Sequence, residues 1–110
     1  MTFADYQKSA ARTIGPGLDH VEMVFHALHG MASEVGELHG IYQKWYQGHT
    51  IAAEHVKKEL GDILWFIAEY CTAQCWTLDE IAQLNIDKLK ARYPEGFSAE
   101  RSIHRQEGDI

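Results

Sequence analysis

The chain has 110 residues, 45% hydrophobic and 24% charged, with a formal net charge of −6 at pH 7. That length holds one domain with one modest core, and the negative balance argues against nucleic acid, whose backbone would call for a clustered basic face. No apolar run is long enough to span a bilayer and no signal-peptide pattern opens the chain, so a membrane is not an expected partner and the cytoplasm is the expected location.

Thr2 and Asp5 have the spacing of a capping box, and Phe3, Tyr6, Ala10 and Ile14 repeat at helical intervals. Together they predict a short first helix from Thr2 to Ile14. Gly15, Pro16 and Gly17 break it with a turn inside one domain, not a linker. A second capping box, Asp19 with Glu22, opens a long helix. On it Met23, Ala27, Gly30, Glu34, Ile41 and Trp45 share one side, flanked by Glu37 and Leu38. The pair Glu34-x-x-Glu37 thus interrupts an apolar stripe. Acidic side chains are rarely buried unpaired, so this face is either open to solvent or holds something positive. Gly30, Gly36 and Gly40 lie in the same helix, each costing up to about 1 kcal/mol relative to alanine. Close helix packing accounts for them, or, for Gly36 and Gly40, room for a ligand beside the acids. A kink near Gly30 could divide the helix in two.

Gln47, Gly48, His49 and Thr50 read as a helix stop and a new start, with Thr50 capping a third helix that runs to about Gln74. Val56, Leu60, Ile63, Leu64, Ile67 and Cys71 form its apolar stripe. Glu59-x-x-Asp62 lies at the edge of that stripe, on the side of His55, Phe66 and Glu69. The middle, Ile63 to Ala68, is apolar almost all round, which predicts burial on more than one side. In so small a chain part of the cover is expected from another subunit, hence a homodimer. Cys71 and Cys75, four apart, read as two small buried apolar side chains, not as a disulfide.

A third capping box, Thr77 with Glu80, starts a helix to about Tyr93 that carries Leu78, Ile81, Asn85, Lys88, Leu89 and Arg92 on one face. Pro94 and Gly96 end it, Ser98 can cap one more turn, and the polar run His104 to Ile110 is expected to fray. There is no internal repeat and no strand-like alternation. The expected fold is all-α, a bundle of four main helices, with the domain over 1–98 and a polar tail over 99–110.

Residues three apart on a helix share a face, so each acidic pair can aim at one point, and two antiparallel helices can bring Glu34, Glu37, Glu59 and Asp62 together. Four carboxylates suit a hard divalent cation such as Mg²⁺, which also binds substrate phosphates and water. Such a site can hold a polyphosphate, polarise a phosphoryl oxygen and orient an attacking water. Zinc fits less well because no His or Cys falls at a matching position, and a di-iron bundle would want Glu-x-x-His pairs. The plain alternative is two solvated acidic pairs. Lys88 and Arg92 could engage phosphate oxygens and Asn85 a sugar or phosphate; otherwise the two cations snorkel at the stripe edge. Trp45, which follows the acidic stripe, is the aromatic best placed to stack a nucleobase, whereas Trp65, Phe66 and Trp76 belong by default to core or interface. His39 and His55 neighbour the acidic pairs, either supporting them or as ordinary polar-face residues.

The runs SEVGELHGIYQKW, KKELGDILWFIAEY and LNIDKLKARYPEGFS resemble the MazG-like nucleoside triphosphate pyrophosphohydrolases, and YQKSAART resembles that family's N-terminal helix. The resemblance covers residues 6–98. It implies an all-α fold assembled as a dimer or a dimer of dimers. The implied reaction is hydrolysis of a nucleoside triphosphate to the monophosphate and pyrophosphate, with Mg²⁺ required or Mn²⁺ in its place. By motif, Glu34, Glu37, Glu59 and Asp62 would bind the metal, and Glu37 would also orient the water. Lys88 and Arg92 would contact phosphates, and Asn85 the substrate. Two rivals remain: a related pyrophosphatase acting on a phosphoribosyl nucleotide, and a non-catalytic nucleotide-sensing or oligomerisation module.

Overall fold

The computed structural model describes residues 1–110 and is helical throughout: α1 (Phe3–Ala11), α2 (His20–Tyr46), α3 (Ala53–Ala73), α4 (Leu78–Arg92) and α5 (Ala99–Ile103), with no strand. Local chemistry fixes most of the starts. The Thr2–Asp5, Asp19–Glu22 and Thr77–Glu80 boxes are all closed in both directions. Ser98 accepts from the Arg101 N–H at the head of α5. Each such cap is worth about 1 kcal/mol. Thr50 does not cap α3. The helix begins after Ala52, which has no side chain to offer, so Thr50 falls two residues short of the capping position. Packing against α2 and α1 holds this helix in place of a cap.

The ends follow the same logic. Gly48 takes φ +95° just beyond α2, a conformation that costs glycine nothing. Beyond α3, Cys75 takes φ +59°, while the Trp76 N–H reaches the Cys71 carbonyl at 2.8 Å and the Cys75 N–H reaches that of Thr72 at 3.2 Å. This is a Schellman stop built on a cysteine. Cys75 is therefore exposed and off the helix, a correction to the expected pair of buried thiols; Cys71 is buried and both are free.

α2 runs unbroken for 27 residues and is not divided in two at Gly30. Close packing does explain that glycine: any Cβ there would run into the Phe66 ring of α3. Gly36 and Gly40 face open space, where in-chain packing explains neither.

α2 and α3 form an antiparallel hairpin, α1 lies on α3, and α4 packs on α1. A small core of Ala10, Ala68, Cys71 and Leu78 sits where α1, α3 and the head of α4 meet, with Tyr6, Trp65 and Ile67 packed around it. Gln7 clamps the α3–α4 turn: its Oε1 accepts from the Leu78 N–H at 2.9 Å and its Nε2 donates to the Trp76 carbonyl at 2.9 Å. The tail is not frayed. Arg92 donates through Nε and Nη2 to both oxygens of Asp109, at 2.8 and 2.7 Å, and so ties the last residues back to α4.

A single chain is open in shape. Its radius of gyration is 17.3 Å, against about 13 Å for a compact domain of this length. Its accessible surface is 8322 Å², against about 6,200 Å² for a folded monomer of this mass. Only six residues are buried, while Val35, Tyr42, Leu60 and Leu84 are exposed. No helix is long and apolar enough to cross a membrane.

Candidate metal centre

The α2–α3 hairpin sets Glu34 opposite Glu59 and Asp62, with one carboxylate oxygen from each lying within 4.8 Å of the others. Three of the four expected acids therefore converge. Glu37 stays outside this group, exposed, one turn along α2. It is still close enough for its charge to act on Glu34.

No lysine or arginine neutralises the trio. Glu34 is pushed up to about 7, first by sharing a hydrogen bond with Glu59, then by burial and by the charges of Asp62, Glu59 and Glu37. Carboxylates this close repel one another, and that repulsion, with the bond to Glu59, favours the protonated form of Glu34. Glu59 is the most constrained. Its side chain is 13% exposed, Oε1 accepts from the His55 Nε2–H at 3.2 Å, and with the acids ionised the buried Oε2 has no hydrogen-bond partner. A buried carboxylate oxygen left without a partner is costly, and a divalent cation would satisfy it. The donors are oxygen alone, which fits Mg²⁺ or Mn²⁺. Tyr6, from α1, borders the same cluster: burial and the Asp62 charge both raise its phenol.

The remaining candidates lie elsewhere in the chain. α4 packs on α1 and not across the acidic hairpin, so Asn85, Lys88 and Arg92 are not brought to the trio within one chain. Lys88 and Arg92 instead line a cleft of about 420 Å³ with Arg101, His104 and Arg105, in which Arg92 is already paired with Asp109. Trp45 is half-exposed and packs edge-on against Tyr46, 5.2 Å between centroids. It stands eleven residues beyond Glu34, about 16 Å along α2. His39 makes no hydrogen bond, whereas His55 supports Glu59.

One polar pair escaped the sequence reading. The Glu69 side chain is wholly buried, and both of its oxygens accept from His26 Nδ1, at 2.7 and 2.9 Å. His26 is half-exposed and touches Trp65 edge-on and Phe66 at a tilt. The signal was present in the hairpin register. Once Glu34 faces Glu59 and Asp62, equal steps outward set Gly30 against Phe66 and His26 against Glu69.

Residues 25–97 match the profile of the MazG nucleotide pyrophosphohydrolase domain. The gene 37 protein of Mycobacterium phage L5 is 29% identical over 100 residues, covering 83% of this chain and 88% of that protein. No solved structure matches.

Proposed function

The chain belongs to the MazG nucleotide pyrophosphohydrolase family, and from that premise we propose that it hydrolyses a nucleoside or deoxynucleoside triphosphate to the monophosphate and pyrophosphate, with Mg²⁺ as cofactor. The observation that carries this reading is the Glu34, Glu59 and Asp62 cluster, with its orphaned Glu59 oxygen and no internal cation.

In this reading Glu34, Glu59 and Asp62 hold the metal, and His55 keeps Glu59 in position. Bound there, Mg²⁺ would neutralise phosphate charge and polarise the phosphoryl group under attack. Glu37, free of the trio, would orient the attacking water and accept its proton on a carboxylate oxygen. Asn85, Lys88 and Arg92 serve the phosphates of a site completed by a second copy, since their own helix does not reach the trio. Arg92 would have to exchange Asp109 for a phosphate oxygen to do so.

The homo-oligomer belongs to the same proposal. The surface in excess of a compact monomer is about 2,000 Å², on the scale that an obligate partner removes from water. Exposed Val35, Tyr42, Leu60 and Leu84 supply its apolar area.

A panel of canonical and modified (d)NTPs with Mg²⁺, scored for monophosphate and pyrophosphate, tests the reading. Release of both products in equal amounts is expected. Turnover of a phosphoribosyl nucleotide in place of every (d)NTP would favour the related pyrophosphatase, and tight binding without products would favour a nucleotide sensor.

A further inference from the structure

The hairpin seam has a second polar layer that the proposed chemistry leaves unused. Glu69 is buried to 1% exposure, and a carboxylate is expensive to bury unless its partner is fixed and close. Its one partner is His26, held through both oxygens. A lone structural need at this position would be met more cheaply by an apolar side chain. What the carboxylate adds is orientation. An ionised carboxylate only accepts, so in the neutral imidazole the proton sits on Nδ1, and Nε2 is left with a lone pair. Nε2 has no partner in the chain, and half of the His26 side chain is open to solvent.

The position of this imidazole is specific. On α2, helical spacing puts His26, Gly30 and Glu37 on one flank of the seam; on α3 it puts Asp62, Trp65 and Glu69 on the corresponding flank. Trp65 lies beside this imidazole: its Nε1 donates to Thr13 Oγ1 beyond α1 at 2.8 Å, and its ring stands nearly perpendicular to that of His26. Tyr6 of α1 feels the charge of Asp62 at the other end. His26 lies eight residues before Glu34, about 12 Å along the helix. That is comparable to the reach of a nucleotide from its α-phosphorus to the far edge of its base. Trp45 lies in the opposite direction along α2 and makes no comparable polar arrangement.

We propose that His26, held by the positioning residue Glu69 and backed by Trp65, is the base-reading residue of this site and selects nucleobases that carry an amino group at the pairing-edge position farthest from the sugar. Cytosine and adenine present a hydrogen-bond donor there and satisfy the Nε2 lone pair. Thymine, uracil and guanine present a carbonyl oxygen, which meets that lone pair with another. The proposal rests on the pyrophosphohydrolase reading for its substrate class, and the test separates the two.

The full chain is assayed as wild type, His26→Gln, Glu69→Gln and Glu69→Leu, with dCTP, dATP, dTTP and dGTP and Mg²⁺. The wild type should favour dCTP and dATP in kcat/KM by roughly tenfold or more, the scale of leaving one buried polar group unpaired. His26→Gln should bring that ratio near one, because a carboxamide offers both a donor and an acceptor. Glu69→Gln, which can still accept from Nδ1, should keep more of the ratio than Glu69→Leu. A merely structural pair would leave the ratio where it was in His26→Gln and in both Glu69 variants, whatever their melting temperatures, and that result overturns the proposal.

A second arm needs neither metal nor turnover. In EDTA, dCMP should move the ¹⁵N resonance of His26 Nε2 more than dTMP does. If the wild type hydrolyses no nucleotide, the proposed activity fails while this arm still decides the base contact. Equal shifts with both monophosphates, or none, overturn it.

Discussion

The seam between α2 and α3 and the clip between α4 and the tail treat charge in opposite ways. In the clip, Arg92 meets Asp109 through two short hydrogen bonds, and each group shifts in the direction that keeps it ionised. In the seam, Glu34, Glu59 and Asp62 crowd together with no cation from the chain, and Glu34 holds its proton up to about 7. The clip is complete as folded. The seam finds no lysine or arginine partner within the chain, and such uncompensated clusters are where ligand chemistry is expected.

Removing a member of the seam should have the largest effect. Asp62→Ala or Glu34→Ala should lower kcat/KM for the best nucleotide by at least on the order of 10²–10³, the scale of losing one electrostatic group at a reacting centre. An unchanged circular dichroism spectrum and elution volume would show that the fold survives. Retained turnover in either variant would mean that seam and clip are both merely structural.

The glycines sharpen the contrast between filled and open parts of the same hairpin. Gly30→Ala forces a methyl into the Phe66 ring and should destabilise by about 1–3 kcal/mol in urea. Gly36→Ala meets nothing in the chain and should cost nothing, or stabilise by up to about 1 kcal/mol through helix propensity. A large loss at Gly36 would show that a second copy or a ligand occupies that space.

The pH dependence has a worked sign. Glu34 titrates near 4.5 in its ordinary state and at about 7 in the fold. Between those values the folded chain holds a proton that the unfolded chain has lost, so this group's contribution to stability falls as pH rises. Urea midpoints in EDTA should therefore carry a component that declines from pH 5 to pH 7.5, and Glu34→Gln should flatten it. Mg²⁺ acts in the other direction, because its binding displaces the proton and tightens as pH rises. A slope unchanged in Glu34→Gln would remove the shared proton from the account.

The smallest effect belongs to the clip. Asp109→Asn should speed amide hydrogen exchange over 104–110 and barely move the melting temperature, because the tail covers little of the core. A large drop would make the tail part of the fold and not an accessory to it.

How far the sequence could be read depended on how local the physics is. The three capping boxes are contacts between residues three apart, and all three close as written. The acidic pairs were legible for the same reason, since i, i+3 spacing on a helix fixes a shared face. Thr50 misled because a cap depends on where the chain turns helical, and that point is set here two residues later at Ala52. Cys75 misled because a left-handed stop usually falls to glycine or asparagine. The Arg92–Asp109 clip crosses a turn and a short helix, so no periodicity announces it. The His26–Glu69 pair joins residues 43 apart and needed the hairpin register, which the acidic pairs themselves supply.

The most direct test of the seam is calorimetric titration of Mg²⁺ into the metal-free chain at pH 7, run in two buffers of different ionisation enthalpy. The account predicts binding to the wild type with net proton release, the proton coming from Glu34, and loss of both in Asp62→Ala. Mg²⁺ binding with the same heat and proton count in Asp62→Ala, or no binding to the wild type, would contradict it.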